Sequence, residues 1–182
     1  KFISESFKNW RGMSESGGRR IKRSLHLDMN TVRFLDDGEI DRLGRYEFLR
    51  EYMSGKRALL DEVNRRDLDE DVIPERRGLT NVGTFRAYVF EYLKRHPRVH
   101  QEMTVLVRQL APTPQGLPIE LYCFSADTAW AAYEGLQADI FDHLIALLPE
   151  FGLRVYQQPA GSDVRVLLDE FGGEAAVRRP LA

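Results

Sequence analysis

Residues 14–28 read SESGGRRIKRSLHLD, in which two glycines precede four cations within five residues: Arg19, Arg20, Lys22 and Arg23. Such a run can hold an anion through backbone N–H groups gathered by a glycine turn at a helix start, or through the cationic side chains alone. The first route needs glycines that open into a helix, with a second glycine spacing or a Lys-Ser/Thr pair. Gly17-Gly18 opens instead into an alternating stretch and has neither. It reads as a linker turn, and the four cations read as a basic knot that is solvated or faces an anionic surface. They are the candidate site of this chain.

The other residues that could do chemistry are poorly placed for it. Histidines occupy positions 26, 96, 100 and 143. A metal site would need several of them to converge with acidic or sulfur partners. His96 and His100 are four apart, but Pro97 between them interrupts a shared helix face. His143, within DIFDHLIALL, sits near Asp139 and Asp142 and reads as a surface helix residue. Cys123 lies between Tyr122 and Phe124 in an alternating stretch, where a small thiol packs as a hydrophobe rather than acting as a nucleophile. The acidic pairs Asp36-Asp37 and Asp69-Glu70-Asp71 lie in highly charged surroundings with no apolar pocket to raise a carboxyl's pKa. Trp130, Tyr133 and Phe141 follow helical spacing, so they pack a core rather than stack bases on a sheet. No catalytic, cofactor-binding or metal site is expected.

The elements that must carry these residues follow from periodicity. Ile21, Leu25 and Leu27 alternate with Lys22, Ser24, His26 and Asp28, the period of a half-buried strand, with Arg23 the exception on the apolar side. Ile40, Leu43, Phe48, Leu49 and Tyr52 recur at helical spacing, and a second short helix can run from Lys56 to Arg65. RRDLDEDVIPERRG then reads as an exposed loop. A firmer helix spans about 81–95, capped by Thr80 or Asn81 and stopped by Pro97. MTVLVRQLAPTPQGLPIELYCF reads as a hairpin: Met103, Val105 and Val107 alternate before the APTPQG loop, and Leu117, Ile119, Leu121 and Cys123 alternate after it. Asp127 then caps a long helix to about Leu148 with an apolar stripe of Trp130, Tyr133, Ile140, Phe141, Leu144 and Leu147. A short strand is expected at Leu153 to Gln157 and one more short helix in SDVRVLLDEF.

In order, these elements predict an α+β chain: a ferredoxin-like β-α-β-β-α-β domain with a helical insertion after the first strand, at about 29–80. Composition agrees with a globular chain, since 43% of the 182 residues are hydrophobic and 30% charged. The net charge of −2 argues against a dedicated nucleic-acid binder, which carries a cationic excess. Positive charge is concentrated at the start, where Lys1 to Asp28 holds seven cations against three anions. No stretch approaches the ~20 apolar residues that cross a bilayer, and the start KFISESFKNW has neither an initiator Met nor a signal-peptide core. The chain reads as a piece of something longer.

Four segments, KFISESFKNWRGMSESGGRRIKRSLHLD, GLTNVGTFRAYVFEYLKRHPRVH, MTVLVRQLAPTPQGLPIELYCF and YEGLQADIFDHLIALLPEFGLRVYQQP, resemble the cytoplasmic part of the YbdG-type miniconductance channels, within the small-conductance mechanosensitive channel family. The resemblance covers nearly the whole chain up to about Ser162. It implies that residues 1–18 are the exit and linker from a preceding β domain and that 19–160 form the cytoplasmic αβ domain; 161–182, beyond the resemblance, read on residue pattern as a short helix and tail. It further implies a homo-heptamer in a bacterial inner membrane, attached by transmembrane helices upstream, with a vestibule passing ions and small osmolytes under osmotic stress. Arg19, Arg20, Lys22 and Arg23 would then supply vestibule or portal electrostatics. No enzyme activity, cofactor or nucleic-acid partner is implied. The stretch at 29–80 departs from the shorter family members. Two other readings stay open on the residues alone: a stand-alone ferredoxin-like ligand-sensing or regulatory module, and, further off, a hydrolase using Cys123.

Overall fold

The structure is a computed structural model that describes residues 17–64 and 77–158. The expected segment before Gly17, the greater part of the charged loop and the helix after Ser162 lie outside the described residues. Strand β1 (Arg19–Leu27) pairs antiparallel with β3 (Leu117–Ser125), and β3 pairs antiparallel with β2 (Leu106–Gln109), giving a sheet of order β1-β3-β2. Along the β1–β3 ladder Ile21 faces Cys123, Lys22 faces Tyr122 and Leu27 faces Leu117. Because side chains alternate across a strand, this register sends Ile21, Leu25, Ile119, Leu121 and Cys123 to one face, where all are buried. Helices α3 (Asn81–Arg95) and α4 (Trp130–Leu147) supply Phe85, Val89, Leu93, Leu136, Ile140 and Leu144 to that same core. The fold is α+β.

The expected fourth strand shrinks to one antiparallel bridge between Val155 and Leu27, flanked by Asp28 N–H donating to Arg154 O and Tyr156 N–H donating to His26 O. β2 also begins later than expected. Val99 bridges Ser125 and Leu106 resumes the ladder opposite Tyr122, so residues 100–105 loop out facing only Cys123 and Phe124. Met103 is therefore not in the strand; it lies against Gly18 instead. The turn of the hairpin closes on reciprocal bonds between Thr113 and Gly116, and Gly116 holds φ +96 against the carbonyl of Leu27. Only glycine fits there without strain.

The insertion folds as α1 (Asp37–Leu43), a 3-10 turn at Glu47–Leu49 and α2 (Arg50–Asn64), so the second helix is longer than the Lys56–Arg65 segment read from sequence. Asp36 caps α1 in a reciprocal box with Glu39, whose carboxyl also takes two bonds from Arg33. That guanidinium holds the Glu39 carboxyl down at about 2. Leu35, Leu43, Leu49 and Met53 join the main core, so the described part of the insertion is packed into the domain.

One buried polar side chain joins the start of the insertion to α3. Thr80 caps α3 by accepting from Gly83 N–H, as its type predicts. Asn81, fully buried, accepts from Arg33 N–H and from its neighbour Val82 N–H, and donates to Thr31 O at 2.8 Å. Two sequence expectations for α4 fail. Asp127 does not cap it: its carboxylate accepts from Ala129 N–H one turn early, and the cap residue Ala129 has no side-chain bond. Trp130 is 69% exposed rather than part of the stripe: it is the first residue of the helix, and its indole bonds Glu134.

Asn81→Ala leaves the Arg33 amide and Thr31 carbonyl without their partner, a loss of about 3 kcal/mol, whereas Thr80→Ala costs about 1. Urea denaturation of the two variants checks the order; equal costs would mean that the Asn81 side chain does not hold this junction.

Candidate functional site

The four cations of β1 do not form one cluster. Strand alternation puts Arg19 and Arg23 on the helix side and Arg20 and Lys22 on the opposite face. On the helix side each guanidinium lies 4.2 Å from the centre of an α4 aromatic ring, Arg19 over Tyr133 and Arg23 over Phe141. This resolves Arg23, which breaks the apolar alternation: its charged end covers the rim of the core by a cation–π contact. Tyr133 also donates its hydroxyl to Arg20 O at 2.9 Å, fixing α4 on the strand edge. Burial pushes the Tyr133 phenol up, and Arg19 beside it opposes that shift.

On the opposite face Arg20 and Lys22 are exposed, beside Tyr122 and Phe124, whose rings meet edge to face at 5.6 Å. Lys22 shares this face with an unexpected group. Glu120, only 5% exposed, takes a 2.7 Å bond from Arg108 Nε across the hairpin, and Lys22 Nζ stands 4.0 Å from its other oxygen. Arg108 opposite Glu120 is the β2–β3 register partner. The pattern RQLAPTPQGLPIE contains this pairing once the hairpin register is known, but no sequence signal marks the acid as buried.

The remaining candidates are placed as follows. Cys123 is buried in the core, and burial pushes its thiol up to about 12, as a packed hydrophobe requires. His26 is exposed at the end of β1. His96 ends α3, where burial and then the nearby Arg98 push its pKa down. His100 donates its backbone N–H to Phe124 O, and its ring Nδ1 is buried without a partner among the described residues. His143 is not a surface residue: it stacks on Tyr92 at 4.7 Å and meets the Tyr88 hydroxyl at 3.0 Å, so it belongs to the contact between α3 and α4. Its flanking acids Asp139 and Asp142 stay exposed, which is the signal that misled the sequence reading. Asp36 serves as the α1 cap and Asp37 as the first residue of that helix, both exposed; Asp69, Glu70 and Asp71 lie outside the described residues. Among the described residues no helix is long and apolar enough to cross a membrane.

The four candidate cations therefore divide into two held on aromatic rings and two facing outward. Lys22→Ala costs less than about 1 kcal/mol, since its partner is distant and it is exposed. Arg108→Ala costs about 2, because it strips the near contact from a buried carboxylate. Guanidinium unfolding separates them, and similar losses would contradict the geometry. Cys123 resists a mild thiol reagent at the rate set by unfolding. Its burial contributes fully below the unfolded thiol's pKa of about 8.5 and loses that contribution as pH rises toward 12. Rapid labelling of folded protein at neutral pH would refute this.

No protein-family model matches the chain. A stretch of 71 residues, 39% of this chain, is 34% identical to the low conductance mechanosensitive channel YnaI of Escherichia coli (strain K12). The match covers 21% of that relative's length. The similarity is to a channel and supports, over the matched stretch, the small-conductance mechanosensitive channel family.

Proposed function

We propose that this chain is the cytoplasmic αβ region of a tension-gated channel of the YbdG miniconductance type, forming part of its vestibule and of the contacts between identical subunits. The observation that carries the proposal is the 34% identity over 71 residues with a mechanosensitive channel. The strand order supports it: β1 lies between β3 and the Val155 bridge, as in a ferredoxin-like sheet whose fourth strand is cut short. On this reading residues 1–18 lead out of a preceding β domain, 19–160 form the ferredoxin-like unit and 161–182 a short helix and tail. The membrane-spanning helices lie outside this sequence, in a bacterial inner membrane, and the assembly is a homo-heptamer passing ions and small osmolytes.

Within a ring of subunits, Arg20 and Lys22 repeat as a belt of positive charge on the face of the sheet away from α3 and α4. Such rings bias the ions that pass them, most strongly at low salt where screening is weak. Arg19 and Arg23, engaged on Tyr133 and Phe141, act on packing instead.

The double variant Arg20→Gln/Lys22→Gln in the full-length channel, recorded by patch clamp, is expected to change single-channel conductance or shift the reversal potential in a salt gradient. The effect should grow as ionic strength falls. Unchanged currents from a correctly assembled channel would remove these residues from the ion path.

A further inference from the structure

The turn at residues 96–98 leads from α3 toward the end of β3, and a histidine side chain closes it. His96 is the C-terminal cap of α3 and is half-buried. Its Nδ1 accepts from the backbone N–H of Arg98 at 3.2 Å. A peptide N–H can only donate, so this contact requires a lone pair on Nδ1 and fixes the ring as the neutral form with its proton on Nε2. Acid that protonates Nδ1 sets one N–H against another and removes the bond. The turn carries contacts to two other elements. Arg98 O accepts from Ala126 N–H at 2.9 Å, just past β3, and Val99 bridges Ser125. The Arg98 guanidinium crosses to α4, where it donates to Asp139 at 3.0 Å and to Ala132 O at 2.8 Å.

The groups that a charge on His96 would face come from α3, the turn and α4. The ring meets Tyr92 edge to face at 5.4 Å, and His143 of α4 stacks on the same tyrosine at 4.7 Å, its Nε2 against the Tyr88 hydroxyl. Arg98 in the turn and His143 oppose a charge on His96, and Asp139 on α4 favours it. Arg95, the last residue of α3, is engaged by Glu91 and, from the insertion, by Glu47. The carbonyl end of α3 also favours a cation, but Leu93 O and His96 O already accept from Gln101 Nε2. Burial leads, followed by Arg98, and together they hold the His96 imidazole below its ordinary value.

We propose that His96 is an acid-sensitive latch: neutral, it closes the turn at residues 96–98, and protonated, it releases the turn and loosens its hold on α4 and on the end of β3. The latch belongs to the domain itself and does not depend on the channel reading. Because the folded value lies below the unfolded one of about 6.5, the stability that the neutral ring contributes is complete above that pH. It is lost as pH falls through the unfolded value toward the folded one.

An NMR titration of the protein from neutral to mildly acidic pH tests it. At neutral pH, long-range nitrogen–proton correlations should show Nδ1 of His96 without a proton. The Arg98 amide, its exchange rate normalised to the intrinsic rate at each pH, should lose protection with the midpoint of the His96 titration, while the core amide of Val89 stays protected. His96→Asn offers an uncharged oxygen to the same N–H, as in an Asx turn, and should keep Arg98 protected through the acid range. His96→Phe keeps a ring against Tyr92 without an acceptor and should leave Arg98 unprotected at every pH. Arg98→Gln should move the His96 midpoint up and Asp139→Asn should move it down. If a variant fails to fold, the unmodified protein decides the matter alone. A proton on Nδ1 at neutral pH, an Arg98 amide that ignores the His96 midpoint, or loss of protection at Val89 together with Arg98 would overturn the proposal. So would an acid opening that survives His96→Asn, which would place the sensor on another group.

Discussion

The β1–β3 register is the constraint on which the rest of the domain depends. Nine residues of β1 face nine of β3, and the alternation of both strands makes each pair share a face. A slip of one residue would carry Ile21, Leu25 and Leu27 out of the core and send Lys22 and His26 into it. Gly116 helps fix the pairing, because its left-handed turn starts β3 against the last residue of β1. The same parity decides the fate of the basic run: it sends Arg19 and Arg23 to aromatic rings and leaves Arg20 and Lys22 facing outward. One pattern of alternation thus sets the core and divides the charge.

The second dependence is the insertion. Its 3-10 turn brings Phe48 to Tyr88 at 5.7 Å, and Tyr46 meets the same ring edge-on at 6.3 Å. On the other side Tyr88 meets His143 and Phe151, so one α3 side chain joins the insertion, α4 and the chain after it. Arg42 and the Tyr46 hydroxyl both reach Glu150, a polar clasp over that aromatic group. Burial is the leading cause that raises the Tyr88 phenol, consistent with its role as packing. Within the stretch at 29–80, the described residues up to Asn64 are therefore integral to the core, and α3 would be left with a bare aromatic flank without them.

Much of this was legible because it is written in local periods. The strand β1, the hairpin, the Thr80 cap and the buried Cys123 each depend on alternation or on residue type within a few positions. What escaped depends on distant pairing. Glu120 looks like any exposed acid in an alternating strand until Arg108 is placed across from it. His143 looks like a surface residue among aspartates until α3 brings two tyrosines to it. Trp130 fits the helical stripe by count, yet as the first residue of the helix it stays exposed and its indole turns to Glu134. The basic knot was legible as charge; its division between two faces became visible only with the strand's orientation.

The shortness of the last pairing leaves its own mark. Beyond the bridge at Leu27, the outer border of β1 from Arg19 to Leu25 has no partner strand among the described residues, and it is the border that carries the cations. An unpaired strand is a template on which a second chain can add by backbone hydrogen bonds, and like charges along it repel an identical strand. Extension of the sheet along this border by an identical strand is thereby disfavoured.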